Sequence, residues 1–295
     1  MSQLKKSLAH TFQASTSLLA AVDSLRNWRA LVLLMGSIVA GAAVFAAGAA
    51  HATPEHNGLL YLAGLLAALV VFYGQHAVGI IVMQEAKGAP TPPLATALLM
   101  ALATGHRLLA VLLLTLLMGL IGSGVLAMVL LAGKIHDIGP LLLSVLYPVV
   151  ALIAGVAAML IAAVLPLAAP AIWDGATTVQ TFSRLIAIAR GRVAHVMLMN
   201  LMLSLIILMV AAVVVTVLIC GTTLASAMTK GIVGPDSLSF LNVTPMQGGS
   251  ADQLVAALGV GVLWIAVWCL PLLVGLRGSC EVYRANIDGI EARTV

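Results

Sequence analysis

Polar side chains inside otherwise apolar stretches are the residues of this sequence most able to do chemistry. Such groups are expensive to keep in lipid, so a functional role is the first hypothesis to test. His76 and Asn200 each lie seven residues from the end of an apolar stretch. At about 1.5 Å per residue, both are on the order of 10 Å deep, where they could meet across one interface or line one cavity. The candidate ligand-lining residues are Tyr73, Gln75, His76, Asn200 and Ser204.

These polar residues also have a structural interpretation. Hydrogen bonds between membrane helices fix their register and contribute about 0.6 kcal/mol each. Asn200 and Ser204 are four residues apart and share one helix face, whereas His195 is rotated roughly 140° from Asn200. We predict that His76, Asn200 and Ser204 face the interior of a helix bundle and that His195 lies at the level of the lipid headgroups.

No catalytic constellation is present in the sequence. It has no His-Glu-x-x-His zinc motif, no glycine-rich phosphate loop and no carboxylate pair within an apolar stretch. The segment Gly122-Ser-Gly124 lacks a placed base, and small residues of this kind more often let helices pack closely. The three cysteines have no metal-ligand spacing. We therefore predict no enzyme, no catalytic residue, no metal and no cofactor.

The elements that must position these residues are membrane-spanning helices. The hydrophobic fraction is 62% and the charged fraction 8%, against about 25% charged residues in an ordinary soluble domain. The mean hydropathy is +1.15. Only helices satisfy their own backbone hydrogen bonds in hydrocarbon, which predicts an all-α integral membrane protein forming one six-span domain over 1–295. Six stretches without Asp, Glu, Lys or Arg are long enough to cross, namely Ala30–Ala50, Gly58–Met83, Leu108–Ala132, Leu141–Ala169, Val193–Ile219 and Gln253–Leu276.

The distribution of Lys and Arg predicts the orientation. Twelve of them fall in the N-terminal region, in 84–107, in 170–192 or after Leu276, and two, Lys134 and Lys230, fall in the other segments. By the positive-inside rule both termini are cytoplasmic, the segment 220–252 is an outside loop and 277–295 is a cytoplasmic tail. The apolar positions of 1–28 recur at helical spacing, which predicts an interfacial amphipathic helix.

A pattern shared by three segments predicts a threefold parallel internal repeat. In each unit an amphipathic stretch is followed by a break, a long span and a returning span. Asn27, Gly105 and Gly191 occupy the breaks, and we expect each to adopt a left-handed conformation that turns an interfacial helix into a span. Basic residues beside these corners are expected among the lipid headgroups. They are Arg29, Arg107, Arg190 and Arg192.

Two motifs carry a resemblance to a known family. The segment Pro170-Ala-Ile-Trp-Asp-Gly175, with Phe182-Ser-Arg184 and Ala189-Arg-Gly-Arg192 after it, and the segment Cys280-Glu-Val-Tyr-Arg284 resemble the six-span membrane domain of membrane-anchored glycerophosphodiester phosphodiesterases and related bacterial six-span proteins. The resemblance implies the fold and a location in the bacterial plasma (inner) membrane. Only 19 residues follow Leu276, so we expect no phosphodiesterase catalytic domain.

Three functional hypotheses remain open from the sequence. The first is a non-enzymatic accessory, assembly or lipid-organising subunit whose partners are membrane lipids and other membrane proteins. The alternative is a transporter or channel for an uncharged or amphiphilic small solute, lined by Gln75, His76 and Asn200. The least supported is a lipid-modifying enzyme using Asp174, Glu281, Arg184 and Arg190. Nucleic acid is not an expected partner, because no basic, aromatic-interleaved patch is present.

Overall fold

The described residues form a bundle of long helices. The computed structural model describes residues 18–19, 21–51, 57–131, 134, 139–232, 234 and 251–294. Within them, six helices are long and apolar enough to cross a membrane, which confirms the predicted all-α membrane fold. The helices are α1 (Trp28–Ala50), α2 (Asn57–Ala86), α3 (Leu94–Leu131), α4 (Gly139–Val164), α5 (Ala168–Trp173), α6 (Thr178–Gly191), α7 (Val193–Ile232) and α8 (Ala251–Thr294).

Several helices continue well past the predicted ends of the spans. Helix α3 has 38 residues and α8 has 44, whereas about 20 suffice to cross the hydrocarbon core. Loss of hydrophobicity does not end a helix, because the backbone hydrogen bonds can continue into the aqueous phase. The segment 277–295, predicted as a cytoplasmic tail, is helical as far as Thr294, because α8 runs through it.

Helices extend into both ends of the segment 220–252, which was predicted as an outside loop. Helix α7 continues to Ile232 and α8 begins at Ala251. The hydroxyl of Thr223 donates to the carbonyl of Ile219 at 2.7 Å, so this polar residue is satisfied without leaving the helix. Residues 233 and 235–250 lie outside the described residues, as do 1–17 and 20 of the predicted interfacial helix 1–28.

The packed core lies at one end of the bundle, which we call the basic end. Here α1, α3 and α7 begin, α2 ends, and α5, α6 and the last part of α8 pack together. Fully buried side chains such as Leu34, Ile81, Leu167 and Tyr283 belong to this core. By contrast, the distal halves of α3, α4 and α7 are mostly exposed. Among the described residues, buried side chains are therefore concentrated at the basic end, while α1 and α2 also pack closely farther along, where a Cβ at Gly48 would lie 2.0 Å from Cβ of Ala63.

A helix break is present at two of the three predicted corners and absent at the third. Asn27 lies between a 3-10 turn and α1, and its side chain accepts a hydrogen bond from the Ala30 amide at 3.2 Å. Gly191 is the last residue of α6, and the break falls at Arg192, with φ −143° and ψ 17°. Helix α3, however, runs without interruption through Gly105. The second repeat unit therefore lacks the corner on which the threefold pattern depended.

The expected left-handed conformation is absent from all three positions. Asn27 has φ −82°, and in the described part of the chain positive φ occurs only at Gly88, Gly175 and Gly234. Gly105 is instead a packing residue, because a Cβ there would lie 2.5 Å from Cε1 of Tyr73. A glycine at a suspected corner was thus a site of close helix contact.

Candidate functional site: a polar junction at the basic end

His76 on α2 is the centre of a buried hydrogen-bond chain. The side chain is 1% exposed. Its Nδ1 accepts a hydrogen bond from Nε1 of Trp173 at 3.0 Å, and its Nε2 lies 3.0 Å from Oγ1 of Thr104. The Thr104 hydroxyl donates to the carbonyl of Met100 at 2.7 Å, which leaves its oxygen to accept from His76. This chain assigns the proton of the neutral imidazole to Nε2 and uses both ring nitrogens.

One face of α2 is shaped to receive Trp173. Phe72, His76 and Gly79 lie at helical spacing on this face. Phe72 stacks on the imidazole with ring centroids 6.1 Å apart, while the indole of Trp173 lies directly on Gly79. A Cβ at position 79 would be 2.1 Å from Cε2 of the indole. The absent side chain of Gly79 therefore makes the Trp173–His76 hydrogen bond possible.

Asp174 joins two further elements through its carboxylate. Its Oδ1 lies 2.6 Å from Nζ of Lys87, and its Oδ2 accepts from Nη1 of Arg184 at 3.1 Å. The same Nη1 of Arg184 lies 2.7 Å from the Tyr283 hydroxyl. Partial burial lowers the pKa of Arg184, but the interactions with Tyr283 and Asp174 outweigh burial, so the pKa is raised. The carboxylate thus links the end of α2 to α6, and Arg184 extends the link to α8.

A tight turn allows Trp173 and Asp174 to face these different partners. Gly175 has φ +99°, a conformation that L side chains rarely adopt. The chain then enters α6 through a capping box, in which the Thr177 hydroxyl accepts from the Gln180 amide and the Gln180 side chain accepts from the Thr177 amide. The segment Pro170–Gly175 is therefore a packing junction between helices.

Two arginines of α8 hold the end of α2. Arg277 donates through Nη1 to the carbonyl of Val82 at 2.9 Å, and its Nη2 lies 2.9 Å from Oε1 of Glu281. Arg284 donates to the carbonyl of Ala86, the last residue of α2. The Ala86 carbonyl belongs to the last turn of α2, where carbonyls lack partners within the helix and carry partial negative charge, so the cation of Arg284 stabilises it; the Val82 carbonyl lies one residue before that turn. The segment Cys280–Arg284 is therefore also a helix-packing element.

The predicted ligand-lining residues do not form one site. Asn200 donates through Nδ2 to the carbonyl of Ala163 at 2.9 Å and so faces α4. Ser204 is exposed and donates to the carbonyl of Asn200 at 2.8 Å, which corrects its predicted interior position. A hydroxyl that bonds its own helix four residues back needs no interior partner. Tyr73 packs on Gly105, and Gln75 and His195 are half-buried.

The basic residues predicted at the headgroup level occupy different environments. Arg29 is exposed, with its guanidinium 5.9 Å from the centre of the Trp28 ring. Arg190 is exposed and Arg107 is half-buried. Arg192 donates to the carbonyl of Ala285 on α8 at 3.3 Å. Arg192 therefore connects the break between α6 and α7 to α8.

Sequence reasoning missed most partners in this junction. Thr104, Lys87 and Arg277 carried no signal of their own, because their partners are distant in sequence. Trp173 and Tyr283 lay inside the two motifs, which gave a reason to select them but not their pairing. Among the described residues, no three His, Cys, Asp or Glu side chains are grouped so as to hold a metal ion.

The chemistry of the junction is that of helix-to-helix attachment. Both carboxylate oxygens of Asp174 face cations, and both ring nitrogens of His76 face protein groups. The chain matches no protein-family profile, and no curated protein or solved structure is detectably similar to it.

Proposed function

We propose that this chain is a non-enzymatic subunit of a membrane complex, with an accessory, assembly or lipid-organising role. The observation that carries the proposal is the junction around His76 and Asp174. Among the described residues, the side chains best suited to acid–base or ligand chemistry are already engaged in hydrogen bonds and ion pairs that hold helices together. Satisfied polar networks of this kind rigidify and specify a packing arrangement. A rigid basic end suits a protein that presents its surfaces to partners.

The distal half of α3 supplies a surface for a partner helix. Leu116 and Leu120 are about 70% exposed. A Cβ added at Gly119, Gly122 or Gly124 would meet nothing within 4 Å. The close packing expected at these glycines is therefore not made within the described chain. Small residues on a membrane helix let a second backbone approach closely, which favours a partner at this position.

The proposal is tested by site-specific photocrosslinking in native membranes. A photoreactive residue at Leu120 should capture one identified membrane protein, and the same residue at exposed Leu62 on α2 is the matched control. The abundance of the captured protein should fall when this chain is depleted and return on complementation. Equal capture at both positions, or a captured protein whose abundance is independent of this chain, would contradict the proposal.

The variant His76→Leu separates this proposal from transport. Two hydrogen bonds are lost, so the free energy of unfolding should fall by about 1 kcal/mol. The crosslink at position 120 should persist, because the junction is far from that surface. A variant that is equally stable but loses movement of a solute across reconstituted vesicles would instead support a pathway through His76.

We also propose a bacterial plasma (inner) membrane location with both termini cytoplasmic. The support is the position of Lys and Arg, which cluster at the basic end. Single cysteines replacing Lys230 and Asp288, both exposed, provide the test once the native cysteines are replaced. In intact cells an impermeant thiol reagent should label position 230 and not position 288. The reverse pattern would overturn the orientation.

A further inference from the structure

A small polar pocket lies where the chain enters α1 beside the end of α2. Its volume is about 350 Å³. It contains two cationic and two anionic side chains together with an aromatic ring and two uncharged polar groups. The lining residues are Asp23, Arg26, Asn27, Trp28, Arg29, Glu85 and Thr91.

The charges of this pocket suit a zwitterionic group. In the described part of the chain neither Arg26 nor Arg29 forms a salt bridge, and both are exposed. Oε2 of Glu85 accepts a hydrogen bond from Nδ2 of Asn27 at 2.7 Å, which holds this carboxylate at the pocket. Trp28 is 64% exposed, and tryptophan favours the headgroup level of membranes.

An apolar groove begins about one turn farther along α1. It has a volume of about 640 Å³ and lies between α1, α2 and α3. On α1 it extends from Val32 to Val44, about 18 Å at 1.5 Å per residue. One leaflet of a hydrocarbon core about 30 Å thick is about 15 Å. The groove therefore has the length of an acyl chain in one leaflet, and its lining includes Val32, Leu33, Gly36, Leu69, Tyr73 and Leu98.

We propose that the pocket and the groove form one site for a single phospholipid with a primary ammonium headgroup. Arg26 and Arg29 bind the phosphate, Asp23 and Glu85 bind the ammonium, and one acyl chain occupies the groove. A primary ammonium donates hydrogen bonds to carboxylates, which a quaternary ammonium cannot do. An anionic lipid would be attracted by the two arginines but repelled by the two carboxylates. This inference rests on the lipid-contacting part of the proposed function.

The headgroup assignment is tested by native mass spectrometry of the purified chain in mild detergent. Phosphatidylethanolamine, phosphatidylcholine and phosphatidylglycerol of identical acyl composition are titrated separately. Phosphatidylethanolamine should bind about tenfold more tightly than either competitor. The double variant Arg26→Ala, Arg29→Ala should weaken its binding. The double variant Asp23→Asn, Glu85→Gln should move the preference to phosphatidylglycerol. Equal or tighter binding of phosphatidylglycerol by the unmodified chain would overturn the assignment.

The acyl groove is tested by filling it. A side chain at position 36 can enter the groove freely, because a Cβ at Gly36 meets nothing within 4 Å. Gly36→Leu should reduce phosphatidylethanolamine binding about tenfold. Gly122→Leu is the matched control, since position 122 is equally open but lies away from the groove. Equal binding by the two variants would refute the site.

The outcomes also separate this inference from the proposed function. The photocrosslink at Leu120 is recorded for the unmodified chain and for Gly36→Leu. If the crosslink persists but lipid binding shows no headgroup preference, only the lipid site is wrong. If lipid binding follows the expected pattern but the unmodified chain captures no partner, only the accessory-subunit proposal is wrong.

Discussion

The contact between Gly79 and Trp173 predicts that one added methyl group will destabilise the protein. In Gly79→Ala the new Cβ would lie 2.1 to 2.5 Å from three atoms of the indole. The indole cannot move away without losing its hydrogen bond to His76. Overpacking of a core costs about 1–3 kcal/mol, and the lost hydrogen bond adds about 0.6 kcal/mol.

The matched substitution Gly119→Ala isolates this contact from the effect of helix propensity. Both glycines are interior positions of long helices, so alanine should bring each a gain of about 0.5–1 kcal/mol. Nothing lies within 4 Å of a Cβ at position 119. The difference in the free energy of unfolding between the two variants should therefore be about 2–4 kcal/mol, with Gly79→Ala the less stable.

The assay is reversible unfolding in mixed micelles by increasing dodecyl sulfate, followed by far-UV circular dichroism. A double-mutant cycle with Trp173→Leu identifies the cause. Without the indole, Gly79→Ala should cost much less than it does in the unmodified chain. The reasoning is refuted if Gly79→Ala is as stable as Gly119→Ala, or if its cost is unchanged by Trp173→Leu.

Two further predictions concern the turn beside this contact. Asp174→Asn should lower the free energy of unfolding by about 1–2 kcal/mol at low salt, because its two cations are only partly screened by solvent. The loss should shrink as salt is added in the same unfolding assay. The control Asp288→Asn, at an exposed position, should show neither effect. Gly175→Ala should cost about 1–3 kcal/mol through its positive φ alone, whereas Gly191→Ala, at a helical position with open space, should be neutral or stabilising when melting temperatures are compared.

The number of spans was predictable because the absence of charge reports directly on a lipid environment. Each of the six charge-free stretches corresponds to one of the six candidate spans of the structure, although the fourth is interrupted by a 3-10 turn at Leu165–Leu167. The ends of the helices were less predictable, because a helix can continue beyond the residue at which the apolar stretch ends. Helix α3 begins at Leu94, after Pro92 and Pro93, and the Pro93 carbonyl accepts from the Ala97 amide. That proline pair was a usable start signal, but the prediction relied on the charges at Arg107.

The candidate site was predictable only as a set of residues that need partners. The burial of His76 follows from the cost of an unpaired imidazole in lipid. Its partner Trp173 is 97 residues away, and a helical pattern does not specify how two helices are rotated against each other. Asn200 was expected near His76 on depth alone, yet it bonds the carbonyl of Ala163. The depth of two side chains in the membrane determines whether they could come into contact, but the packing of the helices determines which of them do.

The sequence alone also does not show why a glycine is present at a given position. Gly105 and Gly191 looked equivalent because each lies within two residues of an arginine after an amphipathic stretch. One lies under the ring of Tyr73 within a continuous helix, and the other ends a helix without positive φ. A glycine that does need its conformational freedom is Gly175, with φ +99°, which lies inside a motif selected for another reason. A missing side chain permits close contact or an unusual backbone, and only the neighbouring residues decide which.

The motifs Pro170–Gly175 and Cys280–Arg284 share one structural role, which is contact with α2. Trp173 binds the face of α2 at His76, Asp174 binds Lys87 at the end of α2, and Arg284 binds the last carbonyl of α2. Both motifs thus contact the last part of α2, although they are more than 100 residues apart in sequence. Regions with many buried contacts open last, while regions with few contacts adapt to what surrounds them. The distal halves of α3, α4 and α7 are therefore the parts of the described chain that a partner or lipid can most readily reposition, and the junction holds the basic ends of the helices in register.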